Sequence, residues 1–113
     1  MYSDEESFPI KIEYFNEITG GDSDLQKTLA EIFISSAQEC MDSIGPDSDE
    51  ETLKASLHAL RGICEGIGAV GLSEICFNTE KGDVTAEEKL VLFDKMKIEY
   101  KVVIDFLESK YMN

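Results

Sequence analysis

Apolar residues in this 113-residue chain recur at helical rather than strand intervals. After the Gly20-Gly21 pair, Leu25, Leu29, Ile32, Phe33, Cys40, Met41 and Ile44 follow the i, i+4, i+7, i+8 rhythm of one helix face. Asp22 stands where an N-cap belongs, and Gly45-Pro46 is a sharp stop. A shorter helix precedes it, from about Pro9 to Ile18, with Pro9 in the first turn, where its missing N–H is no loss. A third stripe, Leu53, Leu57, Leu60, Cys64 and Ile67, opens after Asp47, Ser48 or Asp49 and loosens at Gly66-Ile-Gly68. Ala69, Leu72, Ile75, Cys76 and Thr79 make a fourth, closed by Gly82. The fifth runs from about Thr85 to Lys110 through Leu92, Phe93, Met96, Tyr100, Val103 and Leu107. No strand-like alternation and no Asn-Gly or Asp-Gly hairpin signal interrupts them. The pattern predicts an all-α fold, an antiparallel four-helix bundle with a short additional N-terminal helix. Residues 1–113 read as a single helical domain with no repeat, linker or low-complexity segment.

Composition narrows the partners. With 42 % apolar residues the chain can pack a core, so it is not a disordered acidic tail. Its 24 Asp and Glu against 10 Lys and Arg leave a net charge of −14. That balance excludes nucleic acid and anionic membranes as partners, since both need a basic patch. The length excludes a large multi-domain enzyme. The N-terminus is acidic, where a targeting peptide would be basic, and no apolar run approaches the ~18 residues of a membrane span. We expect a cytoplasmic, monomeric protein, free-standing because it opens on Met1 without a linker.

Several motifs imitate chemistry that their surroundings exclude. Cys40, Cys64 and Cys76 with one His fit no zinc spacing and read as reduced core thiols. Gly66-Ile-Gly68-Ala-Val-Gly71 matches the dinucleotide fingerprint, but it follows a helix rather than a strand, so its glycines serve a close helix junction. Asp47-x-Asp49-x-Glu51 starts like a calcium loop, yet Thr52 stands where the loop needs Gly and His58 where it needs a bidentate Glu. Phe33, Phe93, Phe106 and the four Met stand at core spacing, and Glu39, Asp42, Asp83, Glu87 and Glu88 read as solvated faces.

His58 is the single histidine. At ~100° per residue, the third stripe lies within roughly 40° of Leu53, which puts His58 at about 140°, off the buried face. Ala55 and Gly62 flank it on that surface, and both are small enough for another protein to approach the ring. Arg61, three residues on, sits where its guanidinium reaches a charge placed on the imidazole. A lone surface His is most often only a solvated side chain, and a nucleophilic one needs a group that orients the ring. Glu51 and Glu65, seven residues away on either side, are two turns off in the same helix.

The residues around it point further. His58-Ala-Leu60-Arg61-Gly62, followed by Gly68-Ala69 and Leu72, resembles the signature of the histidine-containing phosphotransfer (HPt) domains of bacterial two-component phosphorelays. Phe15-Asn-Glu17-Ile-Thr-Gly20-Gly21-Asp22 with Leu25 and Phe33 is similar to the family's first helix, turn and second helix. Leu72, Ile75, Cys76 and Glu80 are similar to its fourth. The resemblance spans roughly residues 12 to 107.

It implies a phosphoryl carrier rather than an enzyme. His58 would accept a phosphoryl group from the aspartate of a receiver domain and pass it to another receiver. Arg61 would stabilise the phosphoryl charge, and Lys54, Ala55, Gly62, Glu65, Glu80 and Lys81 would belong to the docking surface. The partners it implies are response-regulator receivers or a hybrid sensor kinase. It implies no cofactor or metal on this chain, because the Mg²⁺ sits on the receiver, which supplies most of the catalysis. Arg61 stands where the family more often has Lys, which keeps the charge and adds bidentate geometry. Ile63, Cys64 and Glu65 replace residues that are usually small or neutral, and Glu65, roughly 10 Å along the axis from His58, would repel a phosphoryl group mildly. These departures keep two alternatives open. One is a pseudo-HPt adaptor that binds a receiver or kinase without carrying phosphate, and the other is a helical partner-binding domain unconnected with phosphorelays.

Overall fold

In the computed structural model of the chain, residues 9–81 and 85–112 are described, and five helices hold most of them. They are α1 (Ile12–Thr19), α2 (Ser23–Asp42), α3 (Glu50–Ile67), α4 (Val70–Glu80) and α5 (Ala86–Tyr111). The described residues contain no strand. α2 packs on α3 and α5, α4 packs on α3 and α5, and α1 packs on α2, which makes an all-helical bundle. Phe15, Phe33, Leu57, Leu60, Leu72, Met96 and Leu107 fill its centre.

Side-chain caps set the helix starts. Asp22 accepts from the Leu25 N–H at 3.0 Å. Of the three candidates before α3, Asp49 is the cap, accepting from the Thr52 N–H at 2.8 Å and its hydroxyl at 3.0 Å. Those two bonds hold the Asp49 carboxyl below the usual carboxylate range. Thr85 and Glu88 form a reciprocal capping box at 3.1 Å each. The α3–α4 corner turns on Gly68, whose φ of 81° favours glycine and whose added Cβ would come 3.1 Å from Tyr14 and 3.2 Å from Lys11. Here the glycine-rich segment does serve a close junction.

Two boundaries differ from the sequence reading. α1 begins at Ile12 rather than near Pro9, because the Lys11 N–H bonds to the Gly68 carbonyl at 3.0 Å and ties the entering chain to the α3–α4 corner. α2 ends at Asp42, before Gly45-Pro46, with Ser43 as its C-cap. The closure at Gly82, the solvated Asp83 and the core role for Met1 lie outside the described residues.

The larger correction concerns which face α2 buries. α3 buries its whole expected stripe, Leu53 through Ile67. On α2, Leu25 and Ile32 face solvent at 40 % and 54 % exposure, while Gln26, Ala30, Phe33 and Ala37 are buried. Two small alanines let α2 approach its neighbours closely. Gln26 can be buried because its amide N–H₂ donates to Asn16 Oδ1 at 2.9 Å and Thr19 Oγ1 at 3.1 Å, both on α1. Those bonds turn α2 away from the phase that its large apolar residues suggest. No helix among the described residues is long and apolar enough to cross a membrane.

Candidate functional site

Burial of Leu57 and Leu60 orients α3 so that His58 projects outward, its side chain 69 % exposed. α4 is oriented by Leu72, Cys76 and Thr79, which face the core, and this brings its last residue, Glu80, against α3. Three side chains then meet. Glu80 Oε1 lies 3.4 Å from His58 Nδ1, and Glu80 Oε2 accepts from Arg61 Nη1 at 3.1 Å. Arg61 Nη2 lies 3.4 Å from the same Nδ1. Arg61 Nε also faces Glu65 Oε1 at 3.7 Å. The guanidinium carbon lies 5.4 Å from the centre of the Phe77 ring, and Lys81 Nζ lies 5.1 Å from it.

Two groups meet at Nδ1, and each suits a different tautomer. Arg61 can only donate, whereas the carboxylate of Glu80 can only accept from the imidazole. With the proton on Nδ1 the ring faces the Glu80 carboxylate and the lone pair falls on Nε2, and with the proton on Nε2 the bare Nδ1 accepts from Arg61. No described residue hydrogen-bonds to Nε2. Nδ1 thus faces the protein, and Nε2 has no protein partner among the described residues. Exposed Ala55 and Gly62 border it, and a Cβ added at Gly62 would meet nothing within 4 Å. The bareness of Gly62 thus serves no internal packing and leaves space only for what approaches from outside.

The structure gathers His58, Arg61, Glu65 and Glu80 into one network and joins Lys81 to it through Phe77. Lys54, Ala55 and Gly62 share the exposed surface of α3. Two readings change. The carboxylate beside the ring, Glu80, comes from α4, out of reach of any argument confined to α3. Glu65, read as part of the docking surface and a mild repellent of phosphate, is paired with Arg61. Phe77 escaped the sequence reading altogether. Its signal was its position outside the buried α4 face and three residues before Glu80, where a 47 %-exposed aromatic ring has no core to fill.

Other reactive groups are elsewhere. Cys64 and Cys76 are fully buried, and burial pushes the Cys76 thiol up to about 12 and Cys64 higher still. Neither thiol is a nucleophile in the folded protein. Among the described residues, no group of three or more His, Cys, Asp or Glu side chains is placed to hold a metal ion.

The model of the Hpt domain family matches residues 28–107, which include all of α3 and α4 and so every residue of this site. The chain belongs to the Hpt domain family. No curated protein and no solved structure matches it. Hpt domains are phosphocarrier modules rather than catalysts, and they interact with receiver domains and kinases in phosphorelays. Membership gives this chain a phosphotransfer-related role in two-component signalling.

Proposed function

We propose that this Hpt protein carries a phosphoryl group on His58 between receiver domains. The Nε2 lone pair attacks the phosphorus of a receiver's aspartyl phosphate. The Nε2–P bond forms as the O–P bond breaks, and the aspartate leaves as a carboxylate. The second transfer runs the same exchange toward another receiver. The observation that carries this reading is the Glu80 carboxylate on Nδ1, 3.4 Å away, with Nε2 left free beside a cation.

Each neighbour has a role in that step. Glu80 holds the ring in the nucleophilic tautomer and offsets the positive charge that the ring gains on phosphorylation. Arg61 offers the guanidinium edges that pair with phosphoryl oxygens, a charge-assisted contact worth about 1.5–3 kcal/mol. Gly62 and Ala55 admit the receiver's loops. The receiver's Mg²⁺ supplies most of the charge neutralisation, so this chain contributes position more than catalysis. Lys54 and Lys81 add local attraction on a body whose charge of −14 repels an acidic partner at long range. Added salt therefore helps docking or harms it little, since it screens both effects.

The test is transfer of labelled phosphate from receivers loaded with acetyl phosphate. Wild type should take the label and His58→Gln none. An unlabelled wild type, or equal labelling of the variant, sinks the proposal. One observation favours the adaptor reading: Arg61 already has carboxylates at 3.1 and 3.7 Å, which weakens its field at His58. Binding that is unchanged in His58→Ala, without transfer to or from any receiver, would select the adaptor.

A further inference from the structure

Arg61 raises a physical problem that its ion pairs do not solve. A long, charged side chain loses considerable rotamer freedom when it is held in one place, and pairs near the surface contribute little toward offsetting that loss. Yet Arg61 is only 24 % exposed and stays within reach of His58, Glu65 and Glu80 together. Those three neighbours all use its N–H edges. A guanidinium is planar, its N–H groups lie in the plane, and its poorly hydrated faces stack on aromatic rings. Phe77 is the aromatic side chain under the guanidinium, at 5.4 Å from ring centre to guanidinium carbon. It does so from a position 47 % exposed and outside the core.

We infer that Phe77 is a positioning residue for Arg61, a platform on which the guanidinium exchanges Glu80 for a phosphoryl group without swinging free. The inference rests on the carrier reading of His58. Before phosphorylation, Glu80 holds one edge of the guanidinium at 3.1 Å. When a phosphoryl group arrives at Nε2, that edge must be released and offered to new oxygens. Pivoting over the ring does this while the cation–π contact is kept. The cation–π contact also strengthens when a docked receiver removes water from Phe77, so Arg61 is held most firmly when its charge is needed. Lys81, 5.1 Å from the same ring centre, is kept near the site by the same platform.

The experiment compares Phe77→Leu, which keeps apolar bulk but loses the ring, with Phe77→Tyr, which keeps the ring. The Arg61 Nε–Hε resonance is followed by NMR, and phosphorylation of His58 is timed with potassium phosphoramidate. In that reaction the Nε2–P bond forms as the donor's P–N bond breaks and ammonia leaves. In Phe77→Leu the ring-current shift of Arg61 should vanish and phosphorylation should slow about fivefold, the size expected for one cation–π contact. Phe77→Tyr should retain the shift and stay within about twofold of wild type. An unmoved Arg61 resonance in Phe77→Leu overturns the inference, as does its phosphorylation at the wild-type rate or equal slowing of both variants. A wild type that is labelled by phosphoramidate but by no receiver defeats the carrier reading alone, and Phe77 is then judged on the resonance and these rates.

Discussion

Two cation–carboxylate pairs on this bundle look alike on paper and differ in kind. On the outer face of α5, Lys101 Nζ lies 3.4 Å from Asp105 Oδ1, with side chains 77 % and 59 % exposed. Between α3 and α4, Arg61 Nη1 lies 3.1 Å from Glu80 Oε2, with side chains 24 % and 23 % exposed. The α5 pair is a single i, i+4 contact in water, worth a few tenths of a kcal/mol. Around it α5 exposes Val91, Ile98 and Val102, which present no polar chemistry. The Arg61 pair has an imidazole, a second carboxylate and an aromatic ring within reach because two helices contribute. A second helix supplies both the convergence of unlike groups and the partial exclusion of water that makes their charges interact. Charge alone marks neither face as functional.

Reversing one cation on each face should separate them most. Arg61→Glu should slow phosphoryl transfer by about 100-fold, as the loss of a charge-assisted contact and the gain of a repulsive charge combine. Lys101→Glu should leave the same rate within about twofold, since an exposed pair of this kind contributes little. Equal slowing in a labelling time course would erase the distinction. Next in size is Glu80→Ala, which removes the partner of Nδ1. Transfer should fall about tenfold, as for one lost hydrogen bond to a charged group, and ¹⁵N spectra of the His58 ring should show more Nε2–H tautomer. An unchanged tautomer ratio would break the link between Glu80 and the free Nε2.

A steric change sharpens the contrast without altering charge. Gly62→Leu should weaken receiver binding about tenfold, as a blocked contact face does, while thermal unfolding shifts by less than the usual core defect. The space beside Gly62 is open within the chain, so only a partner meets the new side chain. The smallest effect lies on α5. Burial raises the Glu99 carboxyl, which sits against Gly71 of α4. A raised folded-state pKa means that Glu99 supports the fold most when protonated, and this contribution is lost as pH climbs through the folded value. Glu99→Gln should therefore raise the unfolding midpoint slightly at pH 7 and not at pH 3. Calorimetry at the two pH values checks it.

Much of the candidate site was legible because α3 is unambiguous. Leu53, Leu57, Leu60, Cys64 and Ile67 mark one side only, so the outward position of His58 follows from a helix's ~100° per residue. Arg61 and Gly62 were within reach of the same geometry. α2 was not, because its apolar residues spread over a wide arc and its buried face is set by Ala30, Ala37 and a Gln26 whose amide is satisfied from α1. Periodicity ranks residues by apolarity, and it gives no weight to a small residue that lets helices close or to a polar one whose partners lie on another helix. Phe77 escaped notice for the opposite reason, since an exposed ring looks like surplus until the cation above it is known.

The sequence by itself determined the five helices, the Asp22 cap, the outward His58, the neighbouring Arg61 and the family resemblance, most of them features encoded within a few turns of one chain segment. Only the tertiary structure decided which α2 face is buried, which carboxylate meets His58, and that Arg61 lies within reach of two carboxylates and an aromatic ring at once. Glu80 stands 22 residues beyond His58. Their meeting depends on how α4 packs along α3, and packing is settled by the whole core acting together.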